Sequence, residues 1–172
     1  LDKFLQEKSE VAKIGSWESP VDGKIWWDDM TRKIHGVTPD YYPTKETIFS
    51  FYKEGASKQK ILNVVRLARE EGKPWSERLR LITPDGIEKW IISAGKPLFK
   101  NGQFTGLIGT FQDVTKRVLK DAKTRKSERL LKTLIDHLPI NVYLKDTDCK
   151  KVLVNKNELE FCGFEDEDEV IG

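Results

Sequence analysis

Hydrophobic positions along the chain follow two rhythms in succession. "IGSWESPVDGKIWW" (14–27) alternates on both sides of Pro20-Val21-Asp22-Gly23, which predicts two strands joined by a turn. Asp28 or Asp29 then caps a helix that stops at Gly36, with Met30, Ile34 and Val37 towards its inner side. A second helix is expected after Pro43-Thr44 on Ile48, Phe49, Phe51 and Tyr52. A third starts near Ser57, carries Ile61, Leu62, Val64, Val65 and Ala68, and ends at Gly72 before Pro74. Ahead of all these, Leu1, Phe4, Leu5 and Val11 make residues 1–13 a short amphipathic helix.

Beyond Pro74 the rhythm has period two. "PWSERLRLIT" stops at Pro84-Asp85-Gly86, "IEKWIISAGKPLF" stops at Asn101-Gly102, and "QFTGLIGTFQD" follows. Asp-Gly and Asn-Gly between apolar runs are strong hairpin signals, so the three strands form an antiparallel meander. The two strands at the front join it, because a lone hairpin is marginal in water. The expected fold class is α+β: one five-stranded antiparallel sheet with helices on one face. Thr105, Leu107, Gly109 and Phe111 share a side of the last strand, and Leu79 and Leu81 share a side of another. At "GTFQDVTKR" (109–117) strand runs directly into a helix that continues from Val114 to about His137.

A repeat follows that helix. "NVYLKDTDCKKVLVNKNELEFCGF" (141–164) has the grammar of "GSWESPVDGKIWWDDMTRKIHGV" (15–37): strand, polar turn, strand, side-chain cap, helix, glycine. Trp17 answers to Tyr143 and Asp22 to Asp148; one residue later in register, Asp28 answers to Asn155, Ile34 to Phe161 and Gly36 to Gly163. The copy lacks the meander strands, so it presents an unpaired strand edge to its surroundings.

Composition narrows the function. A third of the 172 residues are charged, yet the formal net charge is +2, which gives no overall pull towards nucleic acid or anionic membrane. The long helix carries eight basic residues (Lys116, Arg117, Lys120, Lys123, Arg125, Lys126, Arg129, Lys132) against Asp121, Glu128 and Asp136, but has no interleaved aromatic to stack on bases. No apolar run approaches the ~20 residues that cross a bilayer. Cys149 and Cys162 with His35 and His137 make no zinc spacing, and a reducing cytoplasm suits two unpaired thiols. No phosphate loop and no Ser/His/Asp or Cys/His set is present, so no enzymatic activity is expected. The acidic run at 165–169 reads as a solvated loop or helix start, His35 as exposed or at the core edge, and His137 as structural.

"IGSWE" (14–18), "WWDDMTRKIHGV" (26–37), "EEGKPW" (70–75), "LRLITPDGIEKW" (79–90), "GKPLF" (95–99) and "GLIGTFQDVTKR" (106–117) together resemble a PAS domain, of the type with a C-terminal extension motif found in bacterial sensor proteins. The resemblance covers 14–117, and 139–172 look like the opening of a second such domain. It departs at 53–56, where "KEGA" replaces a His-Pro-Asp-Asp stretch and leaves Ser57 to cap the third helix. The implied organisation is an N-terminal helix (1–13), a PAS domain (14–115), a linker or signalling helix (116–138) and a partial second PAS unit (139–172).

The family also implies a cavity between sheet and helices. Trp17, one of Trp26 and Trp27 (Trp27 in the first place), Met30, Ile34, Val65, Leu79, Leu81, Leu107 and Phe111 are its candidate walls. Asp113-Val114-Thr115 matches the Asp-Ile/Val-Thr signature that couples the last strand to the signalling helix, making Asp113 and Thr115 the coupling residues; Asp113 is expected to accept from helix amides and from a basic partner. Haem is not expected, since residues 57–71 hold no axial His, and neither is flavin, since the first domain has no Cys and Phe111 stands where light-sensing relatives carry Gln. An unidentified small molecule is the remaining ligand. The implied role is a non-catalytic sensory and relay module of a cytoplasmic sensor histidine kinase. The alternatives are the sensor of a diguanylate cyclase or a dimerisation module of a transcription regulator. The implied partners are a second copy in a homodimer and an output domain in the same polypeptide, with neither nucleic acid nor membrane contacted.

Overall fold

In the computed structural model, which describes residues 12–171, the alternation at 14–27 becomes β1 (Ile14–Pro20) and β2 (Trp26–Trp27). The helix expected over 1–13 falls almost wholly outside the described residues. Asp28 follows β2 and caps α1 (Asp29–His35), accepting from the Thr31 amide at 2.7 Å through Oδ1 and from the Ser16 amide at 2.7 Å through Oδ2. One carboxylate thus satisfies a helix N-terminus and ties it to the neighbouring strand. Gly36, at φ 70, closes the helix in the left-handed conformation that glycine tolerates best.

The segment expected as a second helix is instead a string of turns over 45–50. Thr44 and Thr47 exchange side-chain-to-amide bonds there (Thr44 N to Thr47 Oγ1, 2.9 Å; Thr47 N to Thr44 Oγ1, 3.2 Å), offering the backbone an alternative to helix. Phe51 to Lys53 then run extended beside a strand: the Ile82 amide donates to Phe51 O at 2.7 Å and the Lys53 amide to Arg80 O at 3.0 Å. The next helix, α2, spans Ala56–Glu71 and is capped by Gly55 without a side-chain bond. Ser57, expected as its cap, instead accepts the Arg80 amide at 3.0 Å, fastening the helix start to the sheet.

The meander forms as its turns predict: β3 (Trp75–Ile82), β4 (Glu88–Lys100) and β5 (Gln103–Asp113), all antiparallel. Sheet order is β2-β1-β5-β4-β3, so the first strand of the chain pairs with the last of the unit. Ile34 of α1 and Ile61, Val65 and Ala68 of α2 pack on the face carrying Trp17, Leu79, Leu81, Ile91, Leu107 and Phe111, and this is the core. Non-polar burial of this kind is the dominant driving term for such a unit.

From β5 the chain passes into α3 (Thr115–Asp136). It divides into two compact units, residues 1–118 and 119–172. In the second, β6 (Tyr143–Lys145) pairs with β7 (Lys151–Val154), and α4 (Lys156–Cys162) follows, capped by Asn155 and closed by Gly163 at φ 79. Residues 167–169 form one 3₁₀ turn. Asn155 is fully buried and bonds in four directions, accepting from the Val142 and Glu158 amides and donating to Ile135 O and Ile140 O.

Candidate functional site

A single cross-strand row organises the inner face of the sheet. Pairing places Trp27 beside Trp17, Trp17 beside Gly109, Gly109 beside Gly95, and Gly95 beside Trp75. The two central glycines leave a trough, and the indoles of Trp17 and Trp75 lie in it with ring centroids 5.9 Å apart. A methyl group on Gly95 would overlap the Trp75 ring, and one on Gly109 the Trp17 ring and the Ala94 carbonyl. Glycine is required at both places by close approach of a neighbouring ring.

Above this floor lies a cavity of about 50 Å³. Of the residues expected to wall it, Trp17, Trp27, Val65, Leu107 and Phe111 do so. Ile34, Leu79 and Leu81 are buried in the core away from it, and Met30 packs half-buried against the core. On β3 the wall is Trp75, which pairs with Gly95, whereas Leu79 and Leu81 pair further along with Ile91 and Lys89. Trp75 itself, Tyr52 and Ser93 are walls that the sequence reading misses. The alternation through Leu79 and Leu81 runs back to Trp75 and is the signal that could have found it; Tyr52, on an irregular segment, carries none.

The cavity wall is apolar with a few aimed polar groups. Trp75 Nε1 donates to Ser93 Oγ at 3.4 Å. Burial pushes the Tyr52 phenol well above its ordinary range, opposed by its bond with Ser93, so it stays protonated. Trp17 Nε1 is buried and has no hydrogen-bond partner among the described residues. Sites for drug-sized ligands occupy about 300–1,000 Å³, so this space holds a molecule of only a few atoms while both indoles stay in place. A cavity of about 50 Å³ between these side chains does not fit a haem or flavin ring. Among the described residues no cluster of three His, Cys, Asp or Glu could hold a metal.

His35 corrects its expected place at an exposed or core-edge position, for it is fully buried. The last turn of α1 faces the sheet, so the ring stacks on Trp27 at 4.1 Å and meets Phe51 and Phe111 edge-on. Nδ1 lies 2.8 Å from Thr31 O, which assigns the proton to Nδ1 and leaves Nε2 a buried acceptor without a partner among the described residues. Burial lowers its pKa from 6.5 to about 4, the Thr31 carbonyl opposing and the charge of Lys89 adding.

The second feature is the joint between β5 and α3. Thr115 Oγ1 accepts the Trp90 amide at 2.9 Å and lies 3.4 Å from Trp90 O, while the Val114 amide donates to that same carbonyl at 2.9 Å. Asp113 Oδ1 accepts the Thr115 amide at 2.9 Å. Asp113 therefore meets a helix N-terminal amide as expected, but the basic partner foreseen for it is not found among the described residues. What pins the helix start to the sheet is Thr115, through both backbone groups of Trp90 on β4.

Comparison with known proteins agrees with this fold. Among curated protein sequences nothing matches the chain. Solved structures that resemble it include a sensory box histidine kinase/response regulator from Burkholderia thailandensis E264, with a TM-score of 0.59 and 22% identity over 74% of this chain and 96% of that one. The N-terminal domain of a diguanylate cyclase with PAS/PAC sensor from Marinobacter aquaeolei gives 0.55 and 15% over 60% and 97%. The PAS domain of a Colwellia psychrerythraea protein gives 0.50 and 19% over 66% and 98%. At such identities the likeness is one of fold. The sequence family described as PAS fold matches residues 24–111, just over half of the chain. With its five-stranded antiparallel sheet and inner-face core, the chain belongs to the PAS fold family.

Proposed function

We propose that the chain is a non-catalytic sensory and relay module of a signalling protein, in the first place a sensor histidine kinase. The observation that carries this is the joint: Thr115 binds the start of α3 to both backbone groups of Trp90, so a displacement of β4 or β5 displaces the helix start. The cavity lies on the same sheet, against Phe111 and Ser93, which face each other across β5 and β4 two residues from the joint pair Asp113 and Ile91. A small molecule entering it presses on the strands that hold the helix. Residues 14–115 act as the PAS unit, 116–138 as the connecting helix, and 139–172 as the opening of a second PAS unit. We propose that the protein works as a homodimer in the cytoplasm, with an output domain in the same polypeptide. No helix among the described residues is long and apolar enough to cross a membrane. An output through a diguanylate cyclase is the second reading, favoured by the likeness to the sensor domain from Marinobacter aquaeolei.

Native mass spectrometry of freshly purified protein tests sensing: a reproducible small adduct supports it, and a consistently empty fold leaves relay alone. Thr115→Val, which removes the side-chain bonds to Trp90, tests coupling, with the first unit expected to stay folded while autophosphorylation or cyclase rate of the full-length protein changes. Unchanged output in a folded variant refutes the coupling.

A further inference from the structure

Hydrogen bonding on the cavity wall is unbalanced. Trp17 is 7% exposed, and its Nε1 is a buried donor without a partner among the described residues. Trp75 Nε1 is already engaged, donating to Ser93 Oγ at 3.4 Å. Tyr52 and Ser93 are bonded to each other, and that bond uses one of their two hydroxyl protons, leaving the second outside it. The wall is thus rich in donors and short of acceptors. These groups lie close together: the Trp17 ring is 5.9 Å from both Trp75 and Phe111, and Phe111 stands opposite Ser93 in the strand pairing.

Size and charge narrow what can enter. One water needs about 10–15 Å³ of such space, so a cavity of about 50 Å³ takes about four atoms of that size. Tyr52 on the wall, and His35 in contact with the wall residues Trp27 and Phe111, are both kept uncharged by burial. Among the described wall residues Arg69 alone is charged, and it is exposed. A carboxylate drawn inside would lose its hydration without gaining a buried cation.

Resting on the reading of the cavity as a ligand site, we infer that its occupant is a small uncharged carbonyl compound, a ketone or aldehyde of about four non-hydrogen atoms. A carbonyl oxygen brings two lone pairs and no proton. One lone pair accepts from Trp17 Nε1 and the other from the hydroxyl pair of Tyr52 and Ser93. The short alkyl arms meet Ile61, Val65 and Leu107. Water brings as many donors as acceptors and matches this wall less well.

The test adds three planar, Y-shaped probes of equal size to the ¹⁵N-labelled full chain: acetone, acetate and isobutene. Binding at millimolar concentration is expected for ligands this small. Acetone should bind about tenfold tighter than isobutene, which lacks the oxygen, and about tenfold tighter than acetate, which is charged. The indole N–H signal of Trp17, assigned through its contacts with Trp75 and Phe111, should move downfield with acetone and stay in place with isobutene. In Trp17→Phe, acetone and isobutene should bind within about twofold of each other; if that variant does not fold, the indole shift in the unaltered chain decides. Equal binding of acetone and isobutene, tighter binding of acetate, or a Trp17 signal unmoved by acetone overturns the inference. The amides of Trp90, Val114 and Thr115 separate it from the sensing reading beneath it. If acetone binds as expected and those amides do not shift, sensing fails and the ligand class stands. If acetate or isobutene binds better and shifts them, sensing stands and the ligand class fails; if no probe binds, both fail.

Discussion

Replacing His35 with phenylalanine isolates the contribution of one buried, neutral imidazole to the pH dependence of stability. The folded ring has a pKa of about 4 against an ordinary 6.5, so below the ordinary value the unfolded chain takes up a proton that the folded chain refuses. Stability is therefore full above about pH 6.5 and is lost as pH falls towards about 4. The gap between 6.5 and about 4 amounts to about 3 kcal/mol when fully expressed, of which about 2 kcal/mol is lost between pH 7 and pH 5. Phenylalanine keeps the stack on Trp27 and does not titrate. All five tryptophans of the chain (17, 26, 27, 75 and 90) lie in the first unit, so their fluorescence in urea titrations reports on that unit alone. Carboxylates titrate alike in both proteins and cancel in the comparison. The expected result is that the wild-type protein loses about 2 kcal/mol more than His35→Phe between pH 7 and pH 5. Equal losses would mean that the ring is charged or solvated in the folded state, and the account of the aromatic cage would fall.

Thr115→Val keeps the shape of the joint but removes the acceptor of the Trp90 amide. It should cost about 1–2 kcal/mol and speed exchange at the Trp90 amide, both readable by hydrogen exchange; an amide as protected as before contradicts the latch. Gly109→Val should cost more than about 2 kcal/mol, since the new side chain meets both an indole and the Ala94 carbonyl. Urea titration measures it, and a loss below about 0.5 kcal/mol would show that the trough has room to spare.

Much of the architecture is legible in the sequence because it is written in local chemistry. Asp85-Gly86 and Asn101-Gly102 mark hairpins wherever they stand between alternating strands, and Asn101 (φ 51) and Gly102 (φ 79) adopt the left-handed turn those residues allow. Asp28, Gly36, Asn155 and Gly163 announce where two short helices begin and end. Other features depend on residues distant in sequence. Residues 45–50 carry a helical apolar pattern, yet Thr44 and Thr47 bond to the local backbone and β3 draws Phe51 to Lys53 into extended pairing. His35 stands beside a glycine cap and reads as peripheral, but the sheet closes over it. The cavity is the clearest case. Its size is decided by Gly95 meeting Gly109 and by two tryptophans, 58 positions apart in the chain, lying down over them. Periodicity says which side of a strand faces inward; only the pairing of strands says which side chains share the room, because packing is a property of neighbours in space.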